Sequence, residues 1–214
     1  MIVNERIISY IHSLEQSRGP FLDELRTYAE ANRVPIIRRE VESFLEVLLS
    51  IQRPETILEL GTAIGYSAIF MGRCVCENSR IVTIENYEKR ILSAKENIKK
   101  AGMEKKICLI KGDALEEMKK MRSETFDFIF IDAAKAQYIY FLQEAVRLLR
   151  TGAVLVADNV LQEGDLIESR YTVTRRDRTI HARMREYMYE VKNREDLVTT
   201  VVPIGDGMTV SVKR

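Results

Sequence analysis

Cysteine and histidine are scarce in this chain of 214 residues, which holds three of the first and two of the second. An odd cysteine count, with one C-x-C pair and no histidine nearby, excludes a disulfide framework and a zinc site. Cys74, Cys76 and Cys108 lie in apolar runs, so buried free thiols are expected. His12 and His181 fall in helical patterns and are expected as structural or surface side chains. Long apolar runs are missing too: none approaches the roughly 20 residues that span a bilayer. The start, Met1-Ile2-Val3-Asn4-Glu5-Arg6, lacks the basic-then-apolar order of a secretory leader, and a cytoplasmic location with no membrane contact is expected. Formal net charge is +1, so bulk charge points to no polyanionic partner and only local clustering can. There is no repeat and no Gly/Ser-rich linker. One domain over residues 1–214 is expected, with 1–52 as a helical cap and 53–214 as the core.

What remains is ordinary for a folded protein: 46% hydrophobic and 30% charged residues. Ile7, Ile8, Ile11 and Leu14 recur at helical spacing, as do Leu22, Leu25 and Ala29, and then Val41, Phe44, Leu45, Leu48 and Leu49. Alternation follows, with strands predicted at Thr56–Leu60, Arg80–Ile84, Lys106–Ile110, Phe126–Ile131 and Ala153–Ala157, each pair separated by a helix. Such repeats predict a parallel sheet covered on both faces. The end differs, because Leu197–Ile204 and Met208–Val212 flank Gly205-Asp206-Gly207 and read as an antiparallel hairpin. The fold class is therefore α/β: a Rossmann-like, seven-stranded, mostly parallel sheet with a C-terminal antiparallel hairpin and N-terminal helices. That order resembles the pattern of class I methyltransferases.

The loop after the first strand reads Glu59-Leu60-Gly61-Thr62-Ala63-Ile64-Gly65-Tyr66-Ser67. Its glycines let a ligand approach the backbone, and the next helix presents its positive end there. The spacing is not that of a dinucleotide site, and Glu59 would repel a pyrophosphate while suiting the ammonium of a methionine-like ligand. Glu85 ends the second strand, where an acid can accept ribose hydroxyls; Asp113 follows the third, where it can sit beside a purine. Each has a plainer use, Glu59 as a strand-end acid and the others as helix caps. Their convergence at the carboxyl ends of three strands favours a ligand crevice.

Asp132 ends the fourth strand and Asp158-Asn159 the fifth. Two carboxylates and an amide make a hard oxygen site suited to Mg²⁺. Lys135 lies close in sequence and is a candidate general base. The plainer reading makes Asp158-Asn159 a turn and Asp132 a helix cap.

Asp132-Ala133-Ala134-Lys135, Asp158-Asn159 and the Glu59–Ser67 loop together resemble the cation-dependent O-methyltransferase family, which holds catechol and caffeoyl-coenzyme A enzymes and a bacterial branch acting on tRNA. The similarity extends from Val34-Pro35-Ile36-Ile37 to the closing hairpin. The resemblance implies S-adenosylmethionine as cofactor, with contacts at Ile37, Glu59, Gly61, Ser67, Glu85, Asp113, Ala114 and Asp132. It implies a divalent cation on Asp132, Asp158 and Asn159, Lys135 as base, and a homodimer. Ala133-Ala134 replaces the bulkier residues of catechol enzymes, so an aromatic wall is missing.

From Ser169 to Arg185 the chain reads SRYTVTRRDRTIHARMR. Arginine is the better fork for phosphates and for stacking on bases. Ile180, Met184, Met188 and Val191 are expected to form a buried helix face. The run resembles bacterial tRNA 5-hydroxyuridine methyltransferases, with Arg170, Arg175, Arg176 and Arg178 as RNA contacts; its plainer use is a solvated basic face. A tRNA partner stands first, a small vicinal-oxygen phenol or its coenzyme A ester second, and a non-catalytic binding module third.

Overall fold

The computed structural model describes residues 3–169 and 171–214. Seven strands form one sheet in the order β3 (Ile107–Lys111), β2 (Arg80–Glu85), β1 (Thr56–Leu60), β4 (Phe126–Ile131), β5 (Leu149–Ala157), β7 (Met208–Lys213) and β6 (Leu197–Val202). The expected pattern is present: parallel pairs among β1–β3 and between β4 and β5, then an antiparallel hairpin. By their packing the residues group into two compact units, one of Arg6–Ala114 and another taking in Leu115–Arg214.

The first unit opens with helices α1 (Glu5–Leu14), α2 (Pro20–Ala31) and α3 (Arg39–Gln52). Proline begins α2, where its missing N–H costs nothing. Strand β1 (Thr56–Leu60) follows, then α4 (Tyr66–Cys74), β2 (Arg80–Glu85), α5 (Glu88–Lys100) and β3 (Ile107–Lys111). Leu22, Leu25, Val41, Leu45, Leu49, Ile57, Leu58, Ile69 and Ile81 are buried and make its core.

The second unit holds α6 (from Ala114 to Lys120), β4 (Phe126–Ile131), α7 (Tyr138–Leu148), β5 (Leu149–Ala157), α8 (Arg178–Asn193), β6 (Leu197–Val202) and β7 (Met208–Lys213). Strand β4 is buried almost throughout, as its continuous apolar run requires.

Three expectations are corrected. Strand β5 starts at Leu149 rather than Ala153; Leu149 pairs with Phe126, and the register is irregular between Phe126 and Phe128. The cysteines are not buried. Cys76 lies beyond the end of α4 and Cys108 on edge strand β3, both exposed, and Cys74 is half-buried. The buried stripe of α8 is His181, Met184, Tyr187 and Val191, whereas Ile180 and Met188 are only half-buried. Tyr187 buries its ring because Thr209 Oγ1 satisfies its hydroxyl at 2.8 Å.

Among the described residues no helix is long and apolar enough to cross a membrane.

Candidate active site

In the first unit the ends of β1 and β2 build a loop held by buried acids. Glu59 is fully buried, and its Oε2 accepts the Thr83 hydroxyl at 2.5 Å; the Thr62 and Thr83 hydroxyls are also 2.5 Å apart. Gly61 takes φ 95°, a left-handed conformation that strains any side chain, while its N–H donates to Ile84 O at 3.0 Å. The chain then turns into α4, which places buried Ser67 in the first helical turn. There the free N–H groups and the dipole favour electron-rich ligand atoms.

Glu85 closes this loop. Its Oε2 accepts the Ala63 N–H at 2.9 Å, and Oε1 accepts those of Asn86 and Tyr87, both at 3.0 Å. An ionised carboxylate has roughly four acceptor sites, so these bonds leave about one for a ligand hydroxyl. Asp113 is exposed just past β3, and Ala114, half-buried, starts α6.

Ile37 is buried, and its carbonyl accepts Arg26 Nη2 at 2.8 Å. That bond belongs to a network the sequence reading missed. Buried Glu42 pairs with Arg26, accepts the Tyr66 hydroxyl at 2.7 Å and meets Arg18 Nε at 3.3 Å. Burial, then the charge of Glu42, hold the Tyr66 phenol well above its usual range. Burial opposes the charge of Arg26, but Glu42 and Tyr66 outweigh it and raise its pKa. Arg26 and Glu42 interrupt the apolar stripes of α2 and α3, and that interruption was the available signal. The network ties Ile37 to Tyr66, the neighbour of Ser67.

The second unit places its acids at the ends of β4 and β5, whose last residues, Ile131 and Ala157, are register partners. Asp132 and Asp158 follow them directly. The Tyr138 hydroxyl donates to Asp158 O at 3.0 Å and lies 3.3 Å from Ile131 O, binding the two strand ends together. Asp158 is 2% exposed. Burial first, then the charge of Asp132, push its carboxyl up to about 8; Asp206 acts the same way, against Lys135 and the Asn159 N–H. That N–H donates to Asp158 Oδ1 at 2.7 Å. Asn159 sits at φ 56°, a left-handed conformation asparagine tolerates.

Buried Asp158 and half-buried Asp132, whose charges oppose each other, together with Asn159 offer the oxygen donors of a hard divalent cation, whose charge would relieve the repulsion. Among the described residues no group of three or more His, Cys, Asp or Glu side chains forms a cluster suited to a metal. The fit therefore rests on the Asp132–Asp158 pair with Asn159. Asp132, expected to contact the cofactor as well, lies with this set. Lys135 heads the single turn Lys135–Gln137, with Nζ 3.5 Å from Asp206 Oδ2. Asp206 was missed because an acid between two glycines reads as a turn residue.

The arginine run is divided in use. Arg178 stacks on the Tyr171 ring at 6.0 Å and Arg183 on Tyr140 at 5.3 Å; Arg183 also donates to Ala136 O at 3.3 Å, and Arg185 to Glu168 O at 3.4 Å. Arg175 and Arg176 are exposed, and Arg170 lies outside the described residues. Tyr171 is 82% exposed.

Comparison with known proteins identifies the family and the fold. A family model described as O-methyltransferase matches residues 12–214, and the chain belongs to that family. It is 38% identical over 132 residues to a catechol O-methyltransferase of Niastella koreensis, covering 60% of each protein. The corresponding match to a catechol O-methyltransferase of Mycobacterium tuberculosis is 33% over 139 residues, covering 65% of this chain and 63% of that one. The chain thus matches less than two thirds of the length of these curated relatives. Among solved structures, the O-methyltransferase from Bacillus cereus in complex with SAH superposes with a TM-score of 0.85 at 27% identity, over 98% of this chain and 97% of that one. The strand order and closing hairpin are those of the Rossmann-like methyltransferase fold.

Proposed function

We propose that this chain is an S-adenosylmethionine-dependent O-methyltransferase that works with Mg²⁺ or a similar divalent cation, and that its acceptor is 5-hydroxyuridine in tRNA, which becomes 5-methoxyuridine. The observation that carries the reading is that Asp132 and buried Asp158 directly follow the register-paired ends of β4 and β5, with Lys135 on the turn after Asp132 and its Nζ 3.5 Å from Asp206 Oδ2. The Bacillus cereus structure in complex with SAH supports the cofactor. Ile37, Glu59, Gly61, Ser67, Glu85, Asp113 and Ala114 would hold the donor, and Asp132, Asp158 and Asn159 the cation. When bound, the cation lowers the pKa of a chelated hydroxyl and the donor supplies an electrophilic methyl. Lys135 takes the hydroxyl proton at Nζ only as the neutral amine, which keeps an N–H for Asp206 and offers its lone pair to the proton. Glu59 and Asp158 are each buried at the end of their own strand, and positioning of the reacting groups accounts for much of the acceleration in such a transfer.

The tRNA acceptor rests on exposed Arg175 and Arg176 and on exposed Tyr171, which offers a flat face to an unstacked base. A 5-hydroxyuridine also presents its hydroxyl beside a carbonyl, a vicinal oxygen pair suited to chelation. The reading places the enzyme in the cytoplasm. A homodimer is part of it, because α1 buries none of its residues and leaves Ile7, Tyr10 and Leu14 exposed. The name of the Niastella koreensis relative favours a second acceptor, a small catechol-type phenol.

Nucleoside mass spectrometry decides between them. With labelled donor and Mg²⁺, undermethylated tRNA should gain 5-methoxyuridine, and Arg175→Ala/Arg176→Ala should weaken tRNA binding and flatten its salt dependence by roughly one to two units of log–log slope. Turnover of catechol that ignores both arginines, with tRNA untouched, would move the acceptor to the phenol. Methylation of neither sinks the activity.

A further inference from the structure

The tip of a β-hairpin is ordinarily exposed, yet Asp206, between Gly205 and Gly207 at the β6–β7 turn, is 4% exposed. Two backbone bonds clamp this turn to the segment that follows Asn159: Val160 N–H to Gly207 O at 2.9 Å and Leu161 N–H to Asp206 O at 3.0 Å. The approach is so close that a Cβ on Gly207 would lie 2.4 Å from Leu161 Cγ, and φ 78° there already disfavours a side chain. One carboxylate oxygen of Asp206 accepts the Glu163 N–H, and the other lies 3.5 Å from Lys135 Nζ. Lys135 itself is 34% exposed on a turn of only three residues, with a long side chain that little else restrains.

We propose that Asp206 is the positioning residue for Lys135, its buried carboxylate fixing where the lysine nitrogen stands. The inference rests on the methyltransferase reading above and names a component that reading does not contain. The clamp explains why an acid is buried in a turn at all: one end of the ion pair is immobile, so the pair restrains its mobile partner. A pair exposed at both ends would restrain little.

Asp206→Asn tests this, because the amide keeps the shape and an acceptor for Glu163 N–H but loses the charge. With the full-length protein, the acceptor it methylates and saturating Mg²⁺, kcat should fall by about 10- to 100-fold, while the acceptor KM, donor affinity by calorimetry and Tm stay near wild type. In a Lys135→Ala background the same replacement should add almost nothing, since the two residues act as a unit. Additive losses, an unchanged kcat, or a loss confined to Tm and KM would overturn the proposal. A wild-type protein that transfers no methyl would sink the activity instead. In that event acylation of Lys135 by acetic anhydride, followed by peptide mass spectrometry, still decides: Asp206→Asn should change its labelling rate by roughly two- to fivefold, and an unchanged rate excludes the restraint.

Discussion

Glu85 and Asp158 both stand at the carboxyl end of a parallel strand, both buried, and the protein treats their charges in opposite ways. Glu85 receives three backbone N–H donors, so its negative charge is compensated by the fold itself. Asp158 receives one, from Asn159, and faces the charges of Asp132 and Asp206. The first carboxylate stabilises a loop that is finished before a ligand arrives. The second belongs to a cluster that folding alone leaves electrostatically costly. A preformed cradle suits a neutral or cationic organic ligand, which needs shape; a crowded acid pair suits a metal ion, which supplies charge.

Removing either carboxylate should therefore damage a different quantity. Asp158→Ala should lower kcat by roughly 1,000-fold, since the loss falls on stabilisation of developing charge. Donor affinity should stay near wild type, which equilibrium calorimetry measures. Full activity of wild-type protein in excess chelator would abolish the distinction. Glu85→Gln should do the reverse: the amide nitrogen cannot accept an N–H, the loop loosens, and donor affinity falls by about 10- to 100-fold. Cation binding in that variant should be unaltered. If Glu85→Gln weakened the cation as much as the donor, the two sets would be one coupled site and the contrast would fail.

Much of this arrangement was legible because the relevant signals are local. Glu59, Asp132 and Asp158 stand at the ends of short apolar runs, so a strand and its terminal acid could be read together. The hairpin was legible from Gly205-Asp206-Gly207. The misses are non-local. The partners of Arg26 and Glu42 come from other helices, so no spacing within either helix announces the pair or its contact with Tyr66. Asp206 has the sequence context of a turn, and only the clamp on Leu161 reveals that it is buried. The face of α8 was misjudged because His181 and Tyr187 were ranked below aliphatic neighbours, although both find hydrogen-bond partners inside. Arginines 178, 183 and 185 were read by composition as one surface, and the structure spends part of their capacity on Tyr171, Tyr140 and backbone carbonyls.

The smallest expected effect is also the sharpest test of the contrast, because only the second cluster produces it. Asp158 titrates at about 8 in place of an ordinary 3.8, chiefly through burial and then through Asp132. Between those two values the folded, cation-free protein holds a proton here that the unfolded chain has released. Stability must then fall as pH rises through that window, because ionising the buried acid is charged to the folded state. A cation that binds the carboxylate has to displace this proton. At neutral pH this raised carboxyl still holds a proton, so Mg²⁺ binding should release protons at pH 7 and fewer as the pH rises. Calorimetric titrations in buffers of different ionisation enthalpy read that release directly. Saturating Mg²⁺ should also flatten the decline of Tm between pH 5 and 8, whereas saturating donor, which would meet Glu85 with its three backbone N–H bonds, should raise Tm without changing its slope. Cation binding at pH 7 with no proton release would mean that Asp158 is ionised beforehand, and the two strand-end acids would then be alike.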